Sequence, residues 1–302
     1  MREEYNLYPL HVFRTVARLC SVTRAAQELC ISQPAVSAHV KTLGAHYREP
    51  LLERTPHGML LTPAGAAVAE HANRVFAAIE DMTSAVEAAH GSVKGKITLA
   101  ASSTPGAYLA PRLLRRFQDR YPNAEPTLLV GDSREVLSWL HDYHVSLGVV
   151  GETVMDTALI RKEVGHDELR LVTAAEDGLC RIPAITGKDL AGRTLLVREQ
   201  GSSTRLGSEA LLGNWMKDFA RVVELSSTEA IKQTVAAGLG VAVLSSWATQ
   251  LEEQAGLLAP VEDVRLRRTR SFYLVRRADR TLVGSAAALW DCMLNCPGTP
   301  GG

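Results

Sequence analysis

The hydrophobic period of this chain changes once. Up to about residue 90, apolar residues recur at three- and four-residue spacing, and beyond Gly91-Ser-Val-Lys-Gly95 short apolar runs alternate with helical stretches. The fold must therefore combine an all-helical part with an α/β part, and 302 residues give room for roughly two domains of ordinary size. Leu10, Phe13, Ala17 and Cys20 form the stripe of a first helix; Thr23-Arg-Ala-Ala-Gln-Glu-Leu29 reads as a short second one with Ala25, Ala26 and Leu29 inward. After a tight break comes ISQPAVSAHVKTL, residues 31–43. Ser32 is placed to cap this helix, and Pro34 falls in its first turn, where no amide hydrogen is missed. Val36, Val40 and Leu43 then face a core, which leaves Gln33, Ser37 and Lys41 aligned on the other side.

Two short helices, the second carrying an outward stripe of amide, hydroxyl and amine, describe a helix-turn-helix, although a plain helical hairpin with a solvated face has the same spacing. Leu51-Leu-Glu-Arg54 and Met59-Leu-Leu-Thr62 flank the turn signal Thr55-Pro-His-Gly58 and read as a two-stranded wing whose cation is Arg54. A winged helix-turn-helix lays its second helix in the major groove of duplex DNA and its wing on the backbone or minor groove. Pro63 then opens a helix reaching about His90. Ala72, Ile79 and Val86 repeat at heptad spacing in it, interleaved with Ala69, Phe76 and Thr83. Such a seam wants a partner, and no second N-terminal helix of that length is available, so a homodimer is expected. Its two recognition helices would lie about one DNA turn apart, over an inverted-repeat operator.

Thirty-three basic residues balance thirty-three acidic ones, so net charge neither predicts nor excludes a polyanionic partner. The first residues lack the apolar core of a signal peptide, and no uninterrupted apolar run is long enough to span a bilayer; a cytoplasmic protein without membrane attachment is expected. Cys20, Cys30, Cys180, Cys292 and Cys296 are scattered and odd in number, which suits a reducing compartment. Cys292 and Cys296 lack the further ligands of a zinc site. No metal-binding, nucleophile-elbow or Walker motif occurs, so neither a cofactor nor an enzyme activity is expected. Gly238-Leu-Gly240 follows a helix and precedes a strand, the reverse of a dinucleotide fingerprint, and reads as a helix end.

In the second half, residues Ile97–Ala101, Glu125–Val130, Ser146–Val150, Leu169–Thr173, Thr194–Val197 and Val241–Leu244 read as strands of mainly parallel sheets with helices between them. Two strand-to-helix junctions share one chemistry: Ser102-Ser-Thr104 and Ser202-Ser-Thr204, the latter followed by Arg205. Ser227 and Thr228 make a third cluster before a helix, and Ser133 a weaker fourth contributor beside Asp132. Each could be a simple helix cap. Together, facing one another across two lobes, their hydroxyls and the amides of helix starts would form an anion site. The arginines at 265, 267, 268 and 270 read as a solvated sheet edge beside the strand Phe272–Val275.

Leu10-x-x-Phe13-x-x-Val16-Ala17, Ser21-Val-Thr-Arg-Ala-Ala26, Ser32-Gln-Pro-Ala-Val-Ser37, and Leu51-Leu-Glu-Arg-Thr55 through Leu61-Thr-Pro-Ala-Gly65 resemble the DNA-binding domain of the LysR-type transcriptional regulators. The resemblance implies that Ser32, Gln33, Pro34, Ser37, Lys41 and Arg54 meet DNA, and that the long helix pairs subunits that assemble further into a homotetramer, with RNA polymerase left open as a partner. ASSTPGAYLAPRLLRRF, GSSTR and SSTEAIKQTVAAGLGVAVLS resemble the effector domain of the subgroup governing carbon fixation and sulfur assimilation, which implies a small anionic effector. This chain departs from the family at Gly44, Tyr47, Arg48 and Leu52, where Glu, Leu, Gly and Phe are usual, and at Ser146 and Gly151, where two carboxylates are lost. The expectation is a winged helix-turn-helix over 1–62, a linker helix over 63–90, and a two-lobed, periplasmic-binding-protein-like effector domain over 91–302. Its lobes would be residues 91–165 with 270–302, and 166–269. A solute-binding protein of a transporter shares the cleft but would need export and has no use for ninety helical residues.

Overall fold

A computed structural model describes residues 6–55, 58–90, 93–152 and 156–295. The middle of the wing turn, the start of the Gly91–Gly95 junction and Cys296 lie outside the described residues. The chain forms two compact units, one reaching Thr83 and the other beginning at Ser84.

In the first unit, α1 (Leu7–Leu19) and α2 (Val22–Glu28) are capped by the side chains of Asn6 and Ser21. Ser32 caps α3 (Gln33–Tyr47), its Oγ accepting from the Ala35 amide at 3.3 Å, and Pro34 sits in the first turn. Gly44 does not end this helix. It lets the returning chain approach, because a Cβ there would stand 3.0 Å from the Glu49 carbonyl oxygen. The helix stops instead at Arg48, which adopts a left-handed φ of 57°. A side chain at that conformation is strained, and the family's usual residue here is the one without strain. Arg48→Gly is therefore expected to stabilise the unit by up to about 1 kcal/mol, read as a raised melting temperature.

The wing is the antiparallel pair β1 (Leu52–Thr55) and β2 (Gly58–Leu61). The long helix α4 (Pro63–Ala89) follows. Its first half is not free for a partner: Ala69 and Ala72 are buried with Leu10, Phe13, Leu43 and Leu51. The seam expected from Ala69 onward thus starts later, and the exposed large apolar residues of this helix are Val75, Met82 and Val86, the last two more than half exposed. Thr83 lies exposed, its hydroxyl bonded back to the Ile79 carbonyl.

The second unit holds, among the described residues, one nine-stranded mixed sheet in the order β4-β3-β5-β11-β6-β9-β7-β8, with β10 on β6. Its elements in chain order are β3 (Gly95–Ser102), α5 (Ser103–Tyr108), α6 (Ala110–Arg120), β4 (Ala124–Gly131), α7 (Ser133–His141), β5 (Leu147–Val150), β6 (Leu159–Ala174), α8 (Gly187–Leu190), β7 (Thr194–Val197), α9 (Ser203–Leu212), β8 (Arg221–Glu224), α10 (Thr228–Ala236), β9 (Val241–Ser245), α11 (Ser246–Gln254), β10 (Leu258–Pro260), β11 (Arg267–Arg277) and α12 (Gly284–Leu294). Both faces are covered. Leu195 and Val197 pack into one cluster and Leu196 into another on the opposite side, which is why this strand reads as an unbroken apolar run.

The sheet is less parallel than expected. β6 pairs antiparallel with β11, β9 and β10, and β11 antiparallel with β5. β6 is 16 residues long, and its first half was hidden in the sequence by the exposed Arg161, Lys162 and Glu163. β8 escaped because all four of its residues are exposed. The β6–β11 ladder links the lobes: Val164 and Phe272 join one core cluster, whereas Leu169 and Leu171 join the other. A register shift falls between Phe272 and Tyr273. Arg267–Arg270 pair with β6 alone, since β5 joins β11 only at Tyr273–Val275, but this edge is not wholly solvated. Arg268 pairs with Glu152 at 2.7 Å, Arg265 with Asp263 at 2.5 Å, and Arg270 is fully buried.

Candidate functional site

Parallel strands bring their carboxyl ends together, and ligands bind in the crevice outside those ends. Here β3, β4 and β7 end beside a cavity of about 690 Å³ between the lobes. One lobe contributes Ser103, Thr104, Ala107, Tyr108, Val130, Gly131, Asp132 and Glu135; the other contributes Arg198, Glu199, Ser226, Ser227, Thr228, Glu229 and Lys232. Two of the expected hydroxyl clusters therefore do meet, Ser103 and Thr104 facing Ser227 and Thr228. Ser227 also caps α10, accepting from the Ala230 amide at 3.3 Å, so the capping and lining roles coexist.

Arg198 joins the two sides. Its Nη2 donates to Ser103 Oγ at 3.1 Å and its Nη1 to Thr228 Oγ1 at 2.7 Å. The same guanidinium donates side-on to Glu199, Nε to Oε2 at 2.7 Å and Nη2 to Oε1 at 2.6 Å. The second cation, Lys232, is nearly buried and bonded to Glu252 at 2.6 Å and Glu229 at 2.8 Å. Burial pulls its pKa down, but the two carboxylates outweigh burial and hold it above the ordinary lysine value. The Lys232 ammonium in turn lowers Glu229. Tyr108 is raised by burial, which keeps its phenol protonated as a donor.

The remaining expected residues lie elsewhere. Ser202, Ser203 and Thr204 are buried and do not line the cavity. Ser203 packs against Gly151, where a Cβ would come within 2.4 Å of its Oγ. Gly201, at φ +101°, lies against the Asp132 and Arg134 side chains of the opposite lobe. This second cluster seals the junction of the lobes. Arg205 turns to Glu209, Glu224 and the Arg198 carbonyl at 2.8, 2.7 and 2.9 Å, so it braces the strand that carries Arg198. Ser102 and Ser133 are buried beside the cleft, neither lining it, and their hydroxyl oxygens have no hydrogen-bond partner among the described residues. Asp132 is held by its own helix, exchanging hydrogen bonds of 2.8 Å with Glu135.

Behind the cleft, Arg270 pairs with Asp167 at 2.9 Å, and both side chains are essentially without solvent contact. Arg270 also donates to Thr104 Oγ1 at 3.3 Å and Thr204 Oγ1 at 3.1 Å, the first turns of α5 and α9. Asp167 accepts from Ser245 at 2.9 Å and Ser246 at 3.3 Å. Burial lowers the Arg270 pKa and the Asp167 carboxylate opposes that shift.

On the first unit, Ser32, Gln33, Pro34, Ser37, Lys41 and Arg54 are all exposed. Gln33, Ser37 and Arg54 share the wall of one open cavity with Arg24, Thr23 and Thr55, so recognition helix and wing present donors to a common groove. Lys41 lies on a neighbouring, largely apolar groove with Arg48.

Sequence reasoning missed Arg198, Glu199 and Lys232. Arg198 follows the apolar strand directly, and the strand-end rule could have singled it out; Lys232 lies one turn beyond Thr228 on the same helix face. Among the described residues no cluster of three or more His, Cys, Asp or Glu could hold a metal, and no helix is long and apolar enough to cross a membrane.

Comparison with known proteins covers both units. The family described as bacterial regulatory helix-turn-helix protein, lysR family, matches residues 7–66, and the LysR substrate binding domain matches residues 90–295. The chain is 35% identical over 94% of its length, and 94% of the relative's, to the HTH-type transcriptional regulator CbbR of Rhodospirillum rubrum. The Synechocystis PCC6803 CcmR regulatory domain in complex with 2-PG aligns with 68% of this chain and 98% of its own, at 26% identity and a TM-score of 0.62. A full-length OxyR variant from Pseudomonas aeruginosa has the same fold over 98% of this chain and 95% of its own, at 20% identity and a TM-score of 0.71.

Proposed function

The chain belongs to the LysR family of DNA-binding transcriptional regulators with a helix-turn-helix and an effector-binding domain, and on that premise we propose that a small anion in the interlobe cleft sets its action at a promoter. The observation that carries the effector reading is Arg198, a nearly buried cation bridging hydroxyls of both lobes at the ends of parallel strands. The CcmR regulatory domain, bound to 2-PG, supports an anionic ligand. Ser103, Thr104, Ser227, Thr228, Arg198 and Lys232 would hold it. A ligand touching both lobes favours one arrangement of them about the β6–β11 ladder. Cytoplasmic residence and the domain limits at residues 62, 90, 165 and 269 belong to the same reading.

DNA is engaged by Gln33, Ser37 and Lys41 in the major groove and by Arg54 on the backbone. The exposed Val75, Met82 and Val86 of α4 pair two subunits over an inverted repeat, and dimers join as tetramers. The test is fluorescence anisotropy on a palindromic promoter fragment and a random duplex. Gln33→Ala with Ser37→Ala should weaken the promoter complex by at least about tenfold while leaving the random duplex unchanged. Arg54→Ala should weaken both and flatten the salt dependence by about one counterion. Promoter affinity indifferent to the double substitution would sink the DNA half of the reading.

A further inference from the structure

The cleft that should take an anion carries more acids than bases. Among the described lining residues Asp132, Glu135, Glu199 and Glu229 face only Arg198 and Lys232. Asp132 and Glu135 are committed to the start of α7, each accepting from the other's amide. Glu199 is different. Its carboxylate lies along the Nε–Nη2 edge of Arg198 with two contacts of 2.6 and 2.7 Å, the side-on geometry in which a guanidinium binds an oxyanion ligand. With the bonds to Ser103 and Thr228 added, four of the guanidinium's five N–H groups are engaged, so an incoming anion can bind Arg198 through two parallel hydrogen bonds only by displacing an acceptor. Glu199 is the acceptor able to leave, because its side chain is about one-fifth exposed and can turn to water.

We propose that Glu199 is an internal competitor for the effector: its carboxylate occupies the edge of Arg198 that the ligand takes, so binding is an exchange of one anion for another. This rests on reading the cleft as the effector site. The exchange also selects a ligand class. A monocarboxylate replacing Glu199 repeats the contacts it removes and gains little. A phosphoryl group brings a further oxygen and a second charge. It takes the Arg198 edge and can also accept from Ser103 and Thr228, whose oxygens already accept from Arg198 and whose hydroxyl hydrogens remain to donate. Glu229 screens Lys232 in the same manner from a more exposed position.

The experiment is calorimetric titration of the full chain with inorganic phosphate and, separately, acetate. Native protein should bind phosphate in preference to acetate. Glu199→Gln should bind phosphate at least about tenfold more tightly than native, because the amide that replaces the carboxylate holds the guanidinium edge less strongly. Glu199→Asp should also bind it more tightly, because the side chain keeps its charge but, one methylene shorter, no longer reaches the Nε–Nη2 edge; a glutamate that acted by repulsion alone would show no such gain. Arg198→Ala should lose phosphate binding in either background, with melting curves confirming that each variant is folded. If Glu199→Gln and Glu199→Asp bind phosphate no better than native while Arg198→Ala still loses it, internal competition is wrong and the cleft remains the effector site. If Arg198→Ala binds phosphate as native does, or no variant binds it, both readings fall.

Discussion

Arg270→Met is expected to destabilise the second unit by roughly 3–5 kcal/mol, because it strands the Asp167 carboxylate, which is wholly without solvent contact, opposite an apolar side chain. Among the described residues, the Ser245 and Ser246 hydroxyls would then be left to solvate that charge. Urea unfolding of the full chain, followed by tryptophan emission, reads the loss; Trp247 packs on Phe272, whose ring lies 5.2 Å from the Arg270 guanidinium carbon. Adding Asp167→Leu should restore part of the stability, since an apolar pair carries no desolvation cost. The double variant would still lack the donors to Thr104 and Thr204 and should lose coupling between ligand and promoter affinity even where it folds. A single variant as stable as native would show that the Asp167 carboxylate is reached by water in solution, against the burial observed.

Gly65→Ala should cost about 3 kcal/mol, the upper end of the range for overpacking, and weaken DNA binding with it. The segment Leu61-Thr-Pro-Ala-Gly65 explains the size of the effect. Thr62 caps α4, accepting from the Gly65 amide at 2.9 Å, and donates to the Pro50 carbonyl at 2.6 Å. The Thr62 amide donates to the Leu51 carbonyl at 3.2 Å. These bonds draw the start of the helix so close to the chain after α3 that a Cβ on residue 65 would stand 1.9 Å from the Leu51 oxygen. Backbone cannot yield as a flexible side chain can, so α4 must move off the core made by Leu10, Phe13, Leu43 and Leu51. Melting and promoter affinity of the full chain measure both consequences. A melting temperature unchanged from native would mean that this close approach is not maintained in solution.

The helix-turn-helix was legible because its signals are local. The cap at Ser32, the inward stripe of Val36 and Leu43, and the exposed row of Gln33, Ser37 and Lys41 all follow from residues within a few turns. The long helix was legible as a helix, but Ala69 and Ala72 count toward a heptad seam only until it is known that α1 and α3 already cover them. The same holds for the strands. Thr194–Val197 announced itself by composition, whereas the first half of β6 and all of β8 are made strands by their neighbours despite exposed polar residues.

Residue order determined the inventory of the effector domain: hydroxyl-rich helix starts after apolar strands, and a glycine in place of a carboxylate at Gly151. Which hydroxyls meet a ligand was decided by tertiary structure alone. Ser103 and Thr228, 125 positions apart, are joined through Arg198, while the chemically similar Ser202–Thr204 close over Gly151 and Arg270. The physical reason is range. Capping, period and turn chemistry act over a few residues and are written in the local sequence. The pairing of a guanidinium with one carboxylate among several depends on how the two lobes pack, and that is fixed only when the crossing strands β6 and β11 are in register.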